Sequence, residues 1–507
     1  MTIKDLKDKI SANGSFKIKV DKFLEKKFGF KERISSKMEA DINAFNKELS
    51  DNGIKMTLSG KTKTSLLDFK DGNKFSQITF SLVAEKATID NENRGIITVE
   101  GNNTKALRPY QSKAISQLND ALKEKPNNFS GLLVIPTGGG KTFIATYWML
   151  KHKVNKDVKV LWLAHRHSLL DQAFETIFNT CTKDVLDTKD KVSYHIISGA
   201  HENTSDIKKE TDIIIAGKDS FQNLGLTRLI ENWAKYQAEI LIVVDEAHHA
   251  PAKTYRNIID KIKACEGLIV NVLGLTATPI RTAKKEQGLI EKMFPDQHID
   301  GGIDLKKLIN TNILAKPLFK ECEEKFVFDG DLSNEQIKTI EAFDKLPKEL
   351  AEKIVKNAPR NNAILKEYKK GEYGKTIIFA IDQDHATTLQ GLFKGYLGED
   401  KVATVISGVR AGVTKTNISR EANQRAIEEF RKPNSKLEVL INVNILTEGV
   451  DIPDVRSIFL TRPTTSTILM TQMIGRGLRI SEGKTECKIV SFIVDFGNHG
   501  FFTNVML

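Results

Sequence analysis

From about residue 130 onward, short unbroken apolar runs alternate with longer segments whose apolar positions recur at helical spacing. Runs at 131–135, 158–164, 193–198, 212–216, 239–244 and 270–275 make one series; 375–380, 402–407, 437–443, 456–460 and 488–495 make a second. Continuous rather than alternating apolar character means burial on both faces, as in parallel strands sandwiched between helices. The pattern predicts two doubly wound α/β domains. Between them, about 320 to 370 is charged and helix-prone (LSNEQIKTIEAFDKLPKELAEKIVK), punctuated by Pro347 and Pro359, and reads as a helical connector at the start of the second. Open parallel sheets bind ligands beyond the carboxyl ends of their strands, so chemistry is expected just after each run.

Residues 1–100 break the pattern. They are lysine-rich and helix-like to about residue 50, then strand-like at 76–83 and 95–99, with the turn Gly101-Asn102-Asn103-Thr104 as a boundary. We expect an N-terminal α+β accessory domain over 1–100, followed by domains over 101–312 and 313–507. For the first, a DNA-contacting or partner-docking role stands about equal with a plain accessory fold. No histidine precedes His152, which excludes a histidine-based nuclease pair there.

Composition narrows the class. Of 507 residues, 40% are hydrophobic and 28% charged, the profile of a globular protein with ample core. No apolar run reaches the roughly 20 residues of a membrane span, and MTIKDLKDKI has no apolar signal region, so a cytoplasmic setting is the expectation. Cys181, Cys265, Cys322 and Cys487 lack metal-site spacing and read as reduced, buried thiols. A net charge of +11 and a pI near 9.1 point to a polyanionic partner, with nucleic acid first.

The phosphate chemistry is concentrated after the first run, at Pro136-Thr137-Gly138-Gly139-Gly140-Lys141-Thr142. Gly138, Gly139 and Gly140 let the backbone curl so that N–H groups point inward at phosphate oxygens. Lys141 adds charge for the β- and γ-phosphates, Thr142 a hydroxyl for Mg²⁺, and the next helix an N-terminal partial charge. Ile135 stands where the full pattern has glycine, making this a variant loop.

About 105 residues later the strand EILIVV ends in Asp245-Glu246-Ala247-His248-His249. Adjacent carboxylates at a buried strand end are costly unless they meet a cation or water. Asp245 is the candidate to hold hydrated Mg²⁺ and Glu246 to orient and deprotonate the attacking water, against a plain helix-capping role for Asp245. His248 is a candidate link to the second domain. His248 and His249 are expected to diverge, which argues against a metal there. Thr276-Ala277-Thr278-Pro279 fits either a hydrogen-bond relay or a structural turn. In the second half, Thr471-Gln472-Met473-Ile474-Gly475-Arg476-Gly477-Leu478-Arg479 sets two arginines three apart, predicted on one helix face and able to fork onto phosphate. Upstream, Thr447-Glu448-Gly449-Val450-Asp451-Ile452-Pro453 gives a hydroxyl, carboxylate and glycine turn.

Taken in order, LRPYQSKAI, PTGGGKT, LAHRHSLLDQA, TDIIIAGKDSF, DEAHH, LTATP, IIFA, LTEGVDIPDV and QMIGRGLR resemble the superfamily 2 helicases and translocases of the DEAH type over roughly 105–496. Within them the chain looks like the restriction-enzyme Res subunits and the transcription–repair DNA helicases. His248, Thr276-Ala277-Thr278 and Gln472 depart from the DEAD-type RNA helicase pattern. The resemblance implies two tandem RecA-like doubly wound parallel-sheet domains, ATP with Mg²⁺, and a motor on double-stranded DNA in restriction, phage defence or repair. The alternatives are an RNA helicase and an ATP-gated nucleic-acid sensor that recruits a nuclease. It implies that Arg108 and Gln111 contact adenine, that Thr137 to Thr142 with Gly449 and Asp451 line the nucleotide, and that Gln472, Arg476 and Arg479 complete the site. Arg166, Lys218, Ser220 and Thr447 become candidates for the nucleic-acid backbone. Asp90 and Glu100 lack a following lysine at nuclease spacing, so DNA cutting is expected of a partner nuclease or recognition subunit.

Overall fold

The structure, a computed structural model, describes residues 16–18, 44–45, 54–60, 75–82, 87–91, 93–198, 204–222, 224–250, 252–277, 288–327, 346–406, 419–443, 445–446, 452, 454–464 and 467–495. The chain divides into two compact units, 1–88 and 89–507. In the first, Phe75–Leu82 pairs antiparallel with Phe16–Ile18 on one side and Ile54–Gly60 on the other. Among the described residues no helix is long and apolar enough to cross a membrane.

The second unit holds two parallel sheets, which are RecA-like domains in tandem. In the first sheet we number β1 (Arg94–Thr98), β2 (Ser130–Val134), β3 (Lys159–Ala164), β4 (Lys191–Ile197), β5 (Ile213–Gly217), β6 (Glu239–Val244), β7 (Ile269–Thr276) and β8 (His298–Ile299). They lie in the order β8-β2-β7-β6-β3-β5-β4-β1, parallel except for β1, which runs antiparallel to β4. The expected runs after residue 130 are all strands. Every residue of β6 after Glu239 is buried, which is why the run shows no alternation.

This order decides what meets what. β7 separates β2 from β6, so Thr276 emerges between the glycine loop and the carboxylates. β3 flanks β6 on its other side and β5 flanks β3, so the residues after each strand form one row along the carboxyl edge.

The second sheet comprises β9 (Lys316–Val327), β10 (Thr376–Phe379), β11 (Val402–Ile406), β12 (Val439–Val443), β13 (Ser457–Leu460) and β14 (Glu486–Asp495), ordered β9-β14-β13-β10-β12-β11. β9 corrects the helical connector expected from about 320, since Lys316–Val327 pairs parallel with β14. An edge strand needs only one buried face: Cys322 is buried while Phe319 and Lys320 are exposed, so its charges mimicked a polar helix. Helices Lys348–Val355 and Ala358–Lys370 follow as expected. One apolar core runs from Leu133 and Ile135 through Leu308 and Leu314 to Ile377, Met473 and Ile474, joining the sheets. Of the four free cysteines, Cys181, Cys322 and Cys487 are buried, but Cys265, expected buried, is half-buried at the end of a surface helix.

Candidate nucleotide site

Residues after β2 form the loop from which helix α2 (Lys141–His152) starts. Gly138 and Gly140 adopt φ of +84° and +86°, the left-handed region that glycine enters without penalty. A methyl at Gly138 would also strike Leu314 Cδ2 at 2.7 Å. The loop is anchored by Ile135 N–H donating to Thr276 O (3.1 Å) and Gly139 N–H to Pro136 O (2.9 Å). Helix α1 (Pro109–Glu124) braces it from outside, capped by Arg108 N–H donating to Gln111 Oε1 (2.9 Å). Gln111 Nε2 lies 3.4 Å from Gly139 O, and the Tyr110 hydroxyl donates to that oxygen at 2.7 Å. Gln111 thus packs against the glycine loop. Tyr110 was not foreseen; nothing in a sequence says which way a motif tyrosine points.

Opposite the loop, Asp245 and Glu246 leave β6 buried. Glu246 sits at φ +47°, ψ +58°, a left-handed conformation worth about 1–2 kcal/mol of strain in a residue with a Cβ. Asp245 Oδ1 holds it there by accepting the Glu246 N–H at 2.9 Å. Lys141 Nζ reaches Glu246 Oε1 at 3.4 Å, with both side chains about one-tenth exposed. Burying two such charges costs several kcal/mol each and is tolerated because they face each other. Asp245, buried at the end of β6, and Thr142, in the first turn of α2, both carry oxygen donors of the kind a hard divalent cation prefers. His248 Nδ1 lies 3.4 Å from both Glu246 Oε2 and Thr276 Oγ1, which links the carboxylate to the end of β7. His248 and His249 do not diverge. They lie in a 3-10 turn, which keeps their rings 4.3 Å apart.

The second domain arrives through helix α3 (Thr467–Gly475). A methyl added at Gly475 would sit 2.6 Å from Thr137 Cγ2, so this helix end packs directly on the glycine loop. Gln472 and Arg476 are buried there. The expectation of two arginines on one helix face is corrected: the helix stops at Gly475, Arg476 lies in the turn after it, and Arg479 forms an antiparallel bridge with Leu314. The glycines at 475 and 477 weaken helix propensity, and Ala315 N–H captures Leu478 O at 2.7 Å, pulling the chain into strand pairing. Beyond Arg479, Arg456 donates to Asp454 Oδ1 (2.9 Å, from Nε) and to Gly483 O (2.8 Å, from Nη1), fastening the following hairpin.

Of the backbone-contact candidates, Arg166, Lys218 and Ser220 lie along the carboxyl edge of the first sheet. Arg166, after β3, donates through Nη1 to Ile445 O in the second domain (3.5 Å). Lys218 pairs with Asp219 at 2.6 Å, and the Ser220 hydroxyl donates to Ile197 O at 3.2 Å. Thr447, Gly449 and Asp451 fall outside the described residues.

This geometry is matched by known families. Residues 104–281 match the family described as type III restriction enzyme, res subunit, and residues 359–481 match the helicase conserved C-terminal domain. The chain belongs to the Res-like group of superfamily 2 helicases. A relative, the putative ATP-dependent helicase IRC3 of Saccharomyces cerevisiae, is 31% identical over 404 residues, covering 76% of this chain and 51% of the relative. The chain thus spans about half that protein's length. The same fold occurs in a fragment of a putative HsdR subunit of a type I restriction enzyme from Vibrio vulnificus (TM-score 0.52, 20% identity, 77% of this chain and 65% of that one). It also occurs in the type ISP restriction-modification enzyme LlaBIII bound to DNA (TM-score 0.53, 18% identity, 77% and 28%).

Proposed function

We propose that this Res-like chain hydrolyses ATP between its two RecA-like domains and uses the cycle to move along double-stranded DNA. What carries the reading is the packing of Gly475 on Thr137, which sets the arginine-bearing segment against the glycine loop that leads into Lys141, itself in reach of Glu246. In this scheme the Gly138–Gly140 amides and Lys141 grip the phosphates, and Arg108 and Gln111 frame the base. Asp245 and Thr142 hold Mg²⁺, which when bound screens the phosphate charge. Lys141 exchanges its carboxylate partner for phosphate, leaving Glu246 to orient and deprotonate water. Gln472, Arg476 and Arg479 close the site and stabilise charge that develops in transfer. Arg166, Lys218, Ser220 and Thr447 face the nucleic-acid backbone, as suits a motor indifferent to sequence.

The duplex substrate draws support from the family described as a restriction res subunit and from the basic charge of +11. The test compares ATPase rates with linear duplex DNA, single-stranded DNA and RNA over a salt series. Duplex DNA should stimulate most, and stimulation should fall with a log–log slope of about −0.9 per phosphate contact. Stimulation by RNA alone, or a flat salt response, refutes the duplex motor. DNA cutting is assigned to a partner, so the pure chain should leave DNA intact.

A further inference from the structure

Beside the carboxylates lies a stack of rings that the hydrolytic scheme leaves unused. His249 stands between two other imidazoles, with its ring 4.3 Å from that of His248 and 4.1 Å from that of His165. At one end of the stack, His248 Nδ1 is 3.4 Å from Glu246 Oε2. At the other, His165 is bonded in sequence to Arg166, whose Nη1 donates to Ile445 O in the second domain at 3.5 Å. Ile445 is itself fixed, its N–H donating to Asn442 Oδ1 at 2.9 Å where β12 ends. The stack exists because β6 and β3 are neighbours in register, with Asp245 N–H donating to Leu163 O at 2.8 Å, so both strands release their histidines at one level.

We propose that His165 and His249 are positioning residues: with His248 they form a ladder of tilted, contacting imidazoles through which the state of Glu246 and the Arg166 contact on the second domain change together. The inference rests on the ATPase reading above. The rings are tilted by 46° and 53° to one another and sit in close contact at these centroid distances, and close-packed groups pass on a displacement that loose ones absorb. When Glu246 turns from Lys141 towards water, His248 follows its carboxylate, His249 follows the ring beside it, and His165 shifts the start of the Arg166 side chain. The middle rung is tied to Glu246 by its backbone N–H, which donates to Glu246 O at 2.9 Å and survives any side-chain substitution, so replacing the ring acts on coupling.

The experiment replaces His249 in the full chain with Leu or Gln, which fill much of the volume without a ring, and with Phe, which restores one. ATPase is measured with and without linear duplex DNA, alongside thermal unfolding. His249→Leu and His249→Gln should lower the ratio of stimulated to basal kcat by about 2- to 30-fold, the range of coupling changes along packed networks. KM for ATP should stay within about twofold, because nucleotide binding is not the step affected. His249→Phe should keep most of the ratio. A wild-type ratio in both ringless variants overturns the ladder, as does a loss in His249→Phe equal to theirs. A wild-type chain that hydrolyses no ATP under any condition refutes the underlying ATPase reading, a failure visible without any variant.

Discussion

Replacing Gly475 with alanine sets two effects against each other. Within helix Thr467–Gly475 the change favours the helix by up to about 1 kcal/mol, since alanine is the better helix former. Across the domain boundary it is unfavourable. The added carbon would meet Thr137 Cγ2 at 2.6 Å and Thr137 Cβ at 2.9 Å, against 3.4 Å for ordinary contact. Helix or loop must therefore retreat by about 0.8 Å. Overpacking of this size costs about 1–3 kcal/mol. Because the clash lies between domains, parting them relieves it, and the cost falls on closure rather than on either domain's stability. A misplacement near 1 Å at a reacting centre is worth about 100-fold in rate, so we expect kcat for ATP to fall about 10- to 100-fold. KM should change little, because the glycine loop proposed to grip the phosphates belongs to the first domain. Steady-state ATPase and thermal unfolding decide the matter together. A Gly475→Ala protein with an unchanged melting temperature and kcat within twofold of wild type would refute closure through this contact.

Three further outcomes follow from the same geometry. Glu246→Gln should retain ATP binding but hydrolyse it about 10²–10⁴-fold more slowly, and normal turnover in single-turnover assays would mean that another group is the base. Tyr110→Phe removes the hydroxyl that braces Gly139 O, a bond worth about 0.5–1.5 kcal/mol, so KM for ATP should rise roughly 2- to 12-fold without loss of fold. His385, buried and facing the Arg360 guanidinium, has its pKa pushed down to about 3, first by desolvation and then by that charge. With the folded value below the unfolded one, its stabilising contribution is present above about pH 6.5 and is lost as pH falls towards 3, at about 1.4 kcal/mol per unit. Denaturant titrations should show a shallower acid slope for His385→Gln, which can still accept the Ile381 N–H; equal slopes would contradict the assignment.

The amino-acid pattern alone determined the two parallel sheets, because strands buried on both faces must be written as unbroken apolar runs. It also marked the glycine loop and the carboxylate pair as the candidate site, because glycine, lysine and adjacent acids after buried strands have few other uses. Three matters lay beyond it. The edge strand Lys316–Val327 buries one face only, so its charges disguised it as a helix. The arginine segment leaves its helix because Leu314, distant in sequence, offers a bridge to Arg479. Strand order, finally, set Thr276 between loop and carboxylates and His165 against His249. Local sequence records what each residue can do, but neighbours across a sheet are chosen by the packing of the whole chain, and that choice is written nowhere in the motifs themselves.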